Sequence, residues 1–114
     1  MTSSPTFRPG DLLRVAVLYT DQERAKLRPA VVISVDAVQR SRADVMIVPL
    51  SRSAGMYFGD RPLRDWQQAN LNQPTFIKAI VVTVEQANIE RVWGRLSAYD
   101  YAQVQDAVRQ VLDI

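Results

Sequence analysis

The stretch Arg28-Pro29-Ala30-Val31-Val32-Ile33-Ser34 leads from a basic loop into a nearly continuous β-branched run. Such a run marks a strand covered on both faces, because the polar positions of a half-exposed strand are missing. Further on, Val45-Met46-Ile47-Val48-Pro49-Leu50 repeats the pattern and ends in Ser51-Arg52-Ser53. Two strands of this type imply a β-core, and their ends can present an arginine and a hydroxyl side by side. That pairing suits a phosphodiester, since the guanidinium fork matches two phosphate oxygens.

Upstream of this centre, Arg8-Pro9-Gly10-Asp11 is a turn signal, residues 12–18 (LLRVAVL) read as a strand, and residues 19–27 form a polar loop. The two buried strands, 29–35 and 44–50, are joined by a polar connection over 36–43. Downstream, a loop over 52–59 carries the turn signals Ala54-Gly55 and Phe58-Gly59-Asp60, and residues 63–69 read as one or two helical turns. Residues 76–84 (FIKAIVVTV) form a third apolar strand and 91–96 (RVWGRL) a fourth, in which Gly94 marks a bulge or a close backbone approach. Ser97, with Asp100 three residues on, is a helix start signal, and Tyr101, Val104, Val108 and Val111 or Leu112 recur at helical spacing. An amphipathic helix of about 15 residues therefore closes the chain. Several strands followed by one helix give a mainly β (α+β) class: a small curled sheet or barrel with the helix over one end.

At 114 residues the chain fits one domain, read as a disordered leader over residues 1–6 and a single folded domain over 7–114. No apolar run approaches the roughly 20 residues that cross a bilayer, and the first residues lack the basic and apolar parts of a signal peptide. A cytoplasmic location is expected. Cysteine and histidine are both absent, which excludes disulfides, thiolate metal sites and a cysteine nucleophile, and removes the commonest general base. An enzyme with this inventory works through arginine, lysine, hydroxyls and carboxylates, and no cofactor is expected. The net charge is only +2, yet residues 24–64 carry Arg24, Lys26, Arg28, Arg40, Arg42, Arg52, Arg61 and Arg64 against Asp36, Asp44 and Asp60. This local excess, almost all arginine, reads either as a phosphate-binding surface or as an ordinary solvated one.

Four motifs occur in order: Pro9-Gly10-Asp11 before the first strand, Lys26-Leu27-Arg28-Pro29-Ala30-Val31-Val32-Ile33-Ser34, Val48-Pro49-Leu50-Ser51, and Val92-Trp93-Gly94-Arg95-Leu96-Ser97 before the last helix. Together they resemble the MazF/PemK toxins of bacterial type II toxin–antitoxin systems, from about Phe7 to the C-terminus. The resemblance implies a small Src-homology-3-like β-barrel of the MazF/PemK/CcdB type with a C-terminal helix, working as a homodimer. It also implies a metal-independent endoribonuclease that cuts single-stranded RNA and is neutralised by a cognate antitoxin, whose C-terminal segment lies across the active groove. Operator DNA would be met only through that antitoxin.

RNA carries its own nucleophile, the 2′-hydroxyl. Such an enzyme has to deprotonate it, stabilise the pentacovalent phosphate and protonate the departing 5′-oxygen, leaving a 2′,3′-cyclic phosphate and a 5′-hydroxyl. By resemblance the catalytic arginine falls on Arg28 and the family's threonine on Ser51. Arg28 would clamp the phosphate and stabilise developing charge, and Ser51 would orient the phosphate or the substrate hydroxyl. Lys26, Arg52 and Lys78 are candidate RNA-binding residues, although the alternation of its strand leaves Lys78 facing either the groove or solvent. Tyr57 and Phe58 are candidates to stack an unpaired base, or else form a packed loop tip, whereas Trp66 and Trp93 read as core or dimer contacts. The loops over 19–27 and 52–60 are expected to close over substrate.

PemK-type relatives carry an arginine and an aspartate two residues apart in the strand matching 76–84. Here the basic position falls on Lys78 and the acidic one on Ile80. The general base is then open among Asp21, Glu23 and Glu85 of the partner subunit. Two other functions compete: a weak or silent member that binds RNA or antitoxin only, for which Ile80 and Ser51 speak, and an inhibitor of a protein target on the same fold, like the gyrase poison CcdB. CcdB relies on a C-terminal Trp-Gly-Ile, whereas this sequence ends Leu112-Asp113-Ile114.

Overall fold

The apolar stretch that begins at Arg28 lies in the middle of an antiparallel sheet. A computed structural model describes residues 6–20, 22–53 and 57–114. Residues 1–5 of the expected leader, Asp21 and the Ala54-Gly55 turn signal lie outside the described residues. The order is β1 (Asp11–Val17), β2 (Lys26–Val32), α1 (Asp36–Arg42), β3 (Asp44–Ser51), β4 (Arg61–Pro62), β5 (Phe76–Ile77), β6 (Val82–Glu85), a 3-10 turn (Gln86–Asn88), β7 (Ile89–Arg95) and α2 (Ala98–Leu112). Along the sheet the strands run β4-β5-β3-β2-β1-β7, with β6 pairing a different part of β3.

The continuous runs in β2 and β3 are buried on both faces, as their composition predicts. Leu12, Val31, Val48 and Leu50 pack on one face with Val104 and Ala107 of α2. Leu13, Val15, Ala30, Val32, Val45 and Ile47 pack on the other with Phe7 and Val84. Each fully buried aliphatic side chain contributes about 1.5–3 kcal/mol, so these two clusters carry most of the stabilisation. The helix covers a face of the sheet rather than an end of a barrel.

Barrel closure is the main correction to the expected architecture. Among the described residues β6 pairs only with β3 and β7 only with β1, so the curled sheet stays open although one 3-10 turn links the two strands. The mainly β class with a C-terminal helix stands.

Three elements differ from the sequence reading. The stretch 36–43 contains α1, which lacks a side-chain cap, has a single buried residue, Gln39, and so leaves no apolar stripe to read. Residues 63–69 form a run of turns instead of helix, tied down by the buried Asp100, whose two oxygens accept the N–H groups of Arg64 (2.9 Å) and Asp65 (2.8 Å). The third apolar strand is split. Leu50 pairs with Ile77 and Ile47 with Val82, so five steps on this segment match three on β3, and the stretch from Lys78 to Val81 bulges out.

Two signals were legible as written. The Ser97 hydroxyl accepts the Asp100 N–H (3.1 Å) and starts α2. At Gly94 a Cβ would stand 2.6 Å from the Ala69 carbonyl oxygen, and the register of β1 on β7 shifts beside it, so both the close approach and the bulge are present. No helix among the described residues is long and apolar enough to cross a membrane.

Candidate active site

The pairing of Ala30 with Pro49 fixes what lies at the open end of β2 and β3. Carried two residues further along both strands, the same register sets Arg28 across from Ser51, the last residue of β3. Arg28 also pairs with Val15 of β1, and Ser51 with Phe76 of β5. Val15, Arg28, Ser51 and Phe76 thus form a row across four strands with their side chains on one face. Residues 28 and 51 fall opposite one another in this register where the buried part of the two strands ends.

Ser51 is fixed by its own turn. Its Oγ accepts the Ser53 N–H (3.1 Å), which leaves the hydroxyl proton to donate elsewhere. It lines a cavity of about 190 Å³ together with Ser53, Tyr57, Asp60, Phe76 and Lys78. The bulge between β5 and β6 delivers Lys78 to this cavity. Its backbone N–H donates to the Pro49 carbonyl (3.0 Å), and its carbonyl accepts the Ile80 N–H (2.7 Å), a tight turn that breaks the strand.

Asp60 clamps the bulge from the opposite side. Its Oδ1 accepts the Ala79 N–H (2.8 Å), and its Oδ2 accepts the Tyr57 N–H (3.0 Å). The turn closes with the Asp60 N–H donating to the Tyr57 carbonyl (3.0 Å). Its third residue, Gly59, has φ +85°, and a Cβ there would meet Ala79 and Val111 at 3.0 Å, so only glycine fits without strain. Tyr57 and Phe58 consequently stand out at 77% and 73% exposure. A second cavity of about 720 Å³ runs from Tyr57, Asp60 and Lys78 past Phe58 and Ile80 to Tyr19.

Tyr19 closes the arrangement. The Arg28 guanidinium carbon lies 4.5 Å from the centre of its ring, and the Lys78 ammonium 3.9 Å from it. Burial pushes the Tyr19 phenol above its ordinary range, while the Arg28 charge pulls it part of the way back. The Nε of Arg28 is buried and has no hydrogen-bond partner among the described residues.

The structure therefore groups Ser51, Tyr57, Phe58 and Lys78 around two adjoining cavities and places Lys78 toward the groove instead of solvent, while Arg28 lines neither cavity and reaches them only through the Tyr19 ring. Lys26 and Arg52 are exposed beside the site and line neither cavity. Trp66 and Trp93 are partly buried against the core. Ile80 is 38% exposed and brings no carboxylate. Of the proposed bases, Asp21 lies outside the described residues, Glu23 is exposed, and Glu85, proposed to act on the partner subunit's site, lies in register with Asp44 at the far end of β3 from the Ser51 of its own chain. Tyr19 and Asp60 were missed: the first is visible in the sequence only as an aromatic after a strand, the second only as a turn residue. Among the described residues no group of three acidic side chains is placed to hold a metal ion.

Comparison with known proteins bears on the fold and the family. No curated protein matches the chain by sequence. In fold, the chain is similar to MazF from Deinococcus radiodurans, with a TM-score of 0.76 at 19% identity over 97% of this chain and 100% of that one. It is also similar to an endoribonuclease in complex with its cognate antitoxin from a Mycobacterial species, with a TM-score of 0.75 at 17% identity over 97% of both chains. The Mycobacterium tuberculosis toxin MazF-mt6 gives a TM-score of 0.70 at 20% identity over 94% and 98%. A family model described as a PemK-like, MazF-like toxin of type II toxin–antitoxin systems matches residues 8–112. With nearly the whole chain covered by that model, this protein belongs to the PemK/MazF family of type II toxin–antitoxin toxins.

Proposed function

We propose that this toxin is a metal-independent endoribonuclease that cleaves single-stranded RNA to 2′,3′-cyclic phosphate and 5′-hydroxyl ends. The observation that carries this reading is the placement of Arg28 and Lys78 on one ring, with Lys78 also lining the cavity that holds the Ser51 hydroxyl. Two cations there compensate a phosphodiester and the extra charge of its pentacovalent state. Ser51 donates to a phosphate oxygen. The 2′-oxygen forms a bond to phosphorus as the bond to the 5′-oxygen breaks, and the 5′-oxygen leaves with a proton from Arg28 or Lys78. Asp60, the carboxylate lining the smaller cavity, keeps lone pairs beyond its two backbone bonds and takes the proton of the 2′-hydroxyl. Tyr57 and Phe58 stack unpaired bases, and Lys26 and Arg52 draw in the backbone.

The protein works in the cytoplasm as a homodimer and is restrained by a cognate antitoxin laid across the same groove, through which alone it meets operator DNA. The decisive test is incubation of the purified protein with a long RNA in EDTA, followed by mapping of the new ends. Fragments with cyclic phosphate ends that disappear in Arg28→Ala support the reading. RNA that stays intact while it binds tightly favours a silent binding protein, the reading to which Ile80 points.

A further inference from the structure

We infer that Tyr19 is a positioning residue, whose ring holds both Arg28 and Lys78 in place before RNA arrives; this rests on the phosphodiester-cleaving reading of the same site. Like charges repel, and neither cation has a carboxylate partner among the described residues. The guanidinium is also partly desolvated, since its Nε is buried without a partner. What faces both cations is the Tyr19 ring, at 4.5 Å and 3.9 Å. The negative face of an aromatic ring attracts cations, and it does so more strongly where water is excluded.

The ring is itself anchored. It packs against the second core cluster, and the Tyr19 carbonyl accepts the Gln22 N–H (3.0 Å) in the turn that follows β1. It thus stands where the phosphate's charge is needed without using the cations' hydrogen-bond donors. An incoming phosphodiester finds two charges already in place, and little ordering remains to oppose binding. The role belongs to the face of the ring, and the phenol oxygen is dispensable to it.

The test varies the ring's electrostatics at nearly constant size. Tyr19→Phe is compared with phenylalanines carrying one, three and five fluorines at position 19, and with Tyr19→Leu. Each is measured for affinity toward an RNA blocked at the 2′-position, for cleavage rate on the unblocked RNA, and for Tm. The Phe variant is expected to match the parent, and affinity and rate fall stepwise with fluorination to a total of roughly 3- to 30-fold, with Tm unmoved. A flat fluorine series overturns the inference, and so does a loss already complete in Phe, which would assign the role to the hydroxyl. In either case a parent protein that cuts RNA leaves the nuclease reading intact. A parent that neither binds nor cuts RNA overturns that reading, and this inference with it.

Discussion

The proposed roles of Arg28 and Ser51 rest on where the buried part of each strand ends. Arg28→Lys keeps the charge but loses the planar fork, so kcat should fall by about 100-fold with KM moved far less. Steady-state kinetics on a short RNA checks this. Ser51→Thr preserves the hydroxyl that Ser53 orients and adds a methyl that limits its rotamers, so it should retain or raise activity, whereas Ser51→Ala lowers it. Asp60→Asn keeps an oxygen for only one of the Ala79 and Tyr57 N–H groups and cannot take a proton, so kcat should drop by about 100- to 1,000-fold, well beyond the loss in affinity for the 2′-blocked RNA. An Asn variant with full turnover would remove Asp60 from the chemistry. The positions of Arg28 and Ser51 beside buried strands could be read in the sequence because β-branched runs announce themselves. The placement of Tyr19 and Asp60 could not be read, because it arises from contacts between segments that composition does not link.

At the scale of elements, the strands of the core could be read from β-branched runs, and α2 from its cap and its apolar spacing. The division of β5 from β6 could not be read, since Phe76-Ile77-Lys78-Ala79-Ile80-Val81-Val82 is as apolar as an unbroken strand. The break is imposed by Asp60 and by the mismatch in register along β3. Gly59→Ala should therefore cost about 1–2 kcal/mol of stability and weaken RNA binding further, by displacing the turn that presents Tyr57 and Phe58. The start of α2 is a second such joint. Asp100→Ala leaves the Arg64 and Asp65 N–H groups without their acceptor and should cost on the order of 3 kcal/mol, read as a lowered Tm. Beside it, bonds from Arg64 and from the Ser97 hydroxyl hold the Asp65 carboxyl below the usual carboxylate range. A carboxyl depressed in the folded state contributes stability above its unfolded pKa and loses it as the pH falls through the folded value. Thermal melts of the parent and Asp65→Asn should accordingly differ at neutral pH and converge in strong acid.

Across the whole molecule, the basic excess of residues 24–64 sorts itself by position. Arg40 pairs with Asp36 (2.9 Å), Arg42 with Asp44 (3.6 Å) and Arg64 with Asp65 (3.1 Å), while Arg61 is held by Gln103 and Gln110. Arg24, Lys26, Arg28 and Arg52 have no such partner among the described residues. Because β2 runs antiparallel to β3, the start of one and the end of the other lie toward the same end of the sheet, and Lys26, Arg28 and Arg52 fall there. A charge count along the sequence sees the excess but not its concentration, which depends on strand direction. Single-stranded RNA binding should weaken with salt, each phosphate neutralised adding about 0.7 to the slope of log K against log salt. Lys26→Ala and Arg52→Ala, which touch neither cavity wall, should each flatten that slope by about 0.7 and weaken binding similarly for every RNA sequence. Arg40→Ala and Arg42→Ala, at the far end of β3, should leave the slope unchanged. Equal flattening by all four variants would mean that RNA meets a diffuse basic surface and that the unpartnered cations at the strand ends do not direct it.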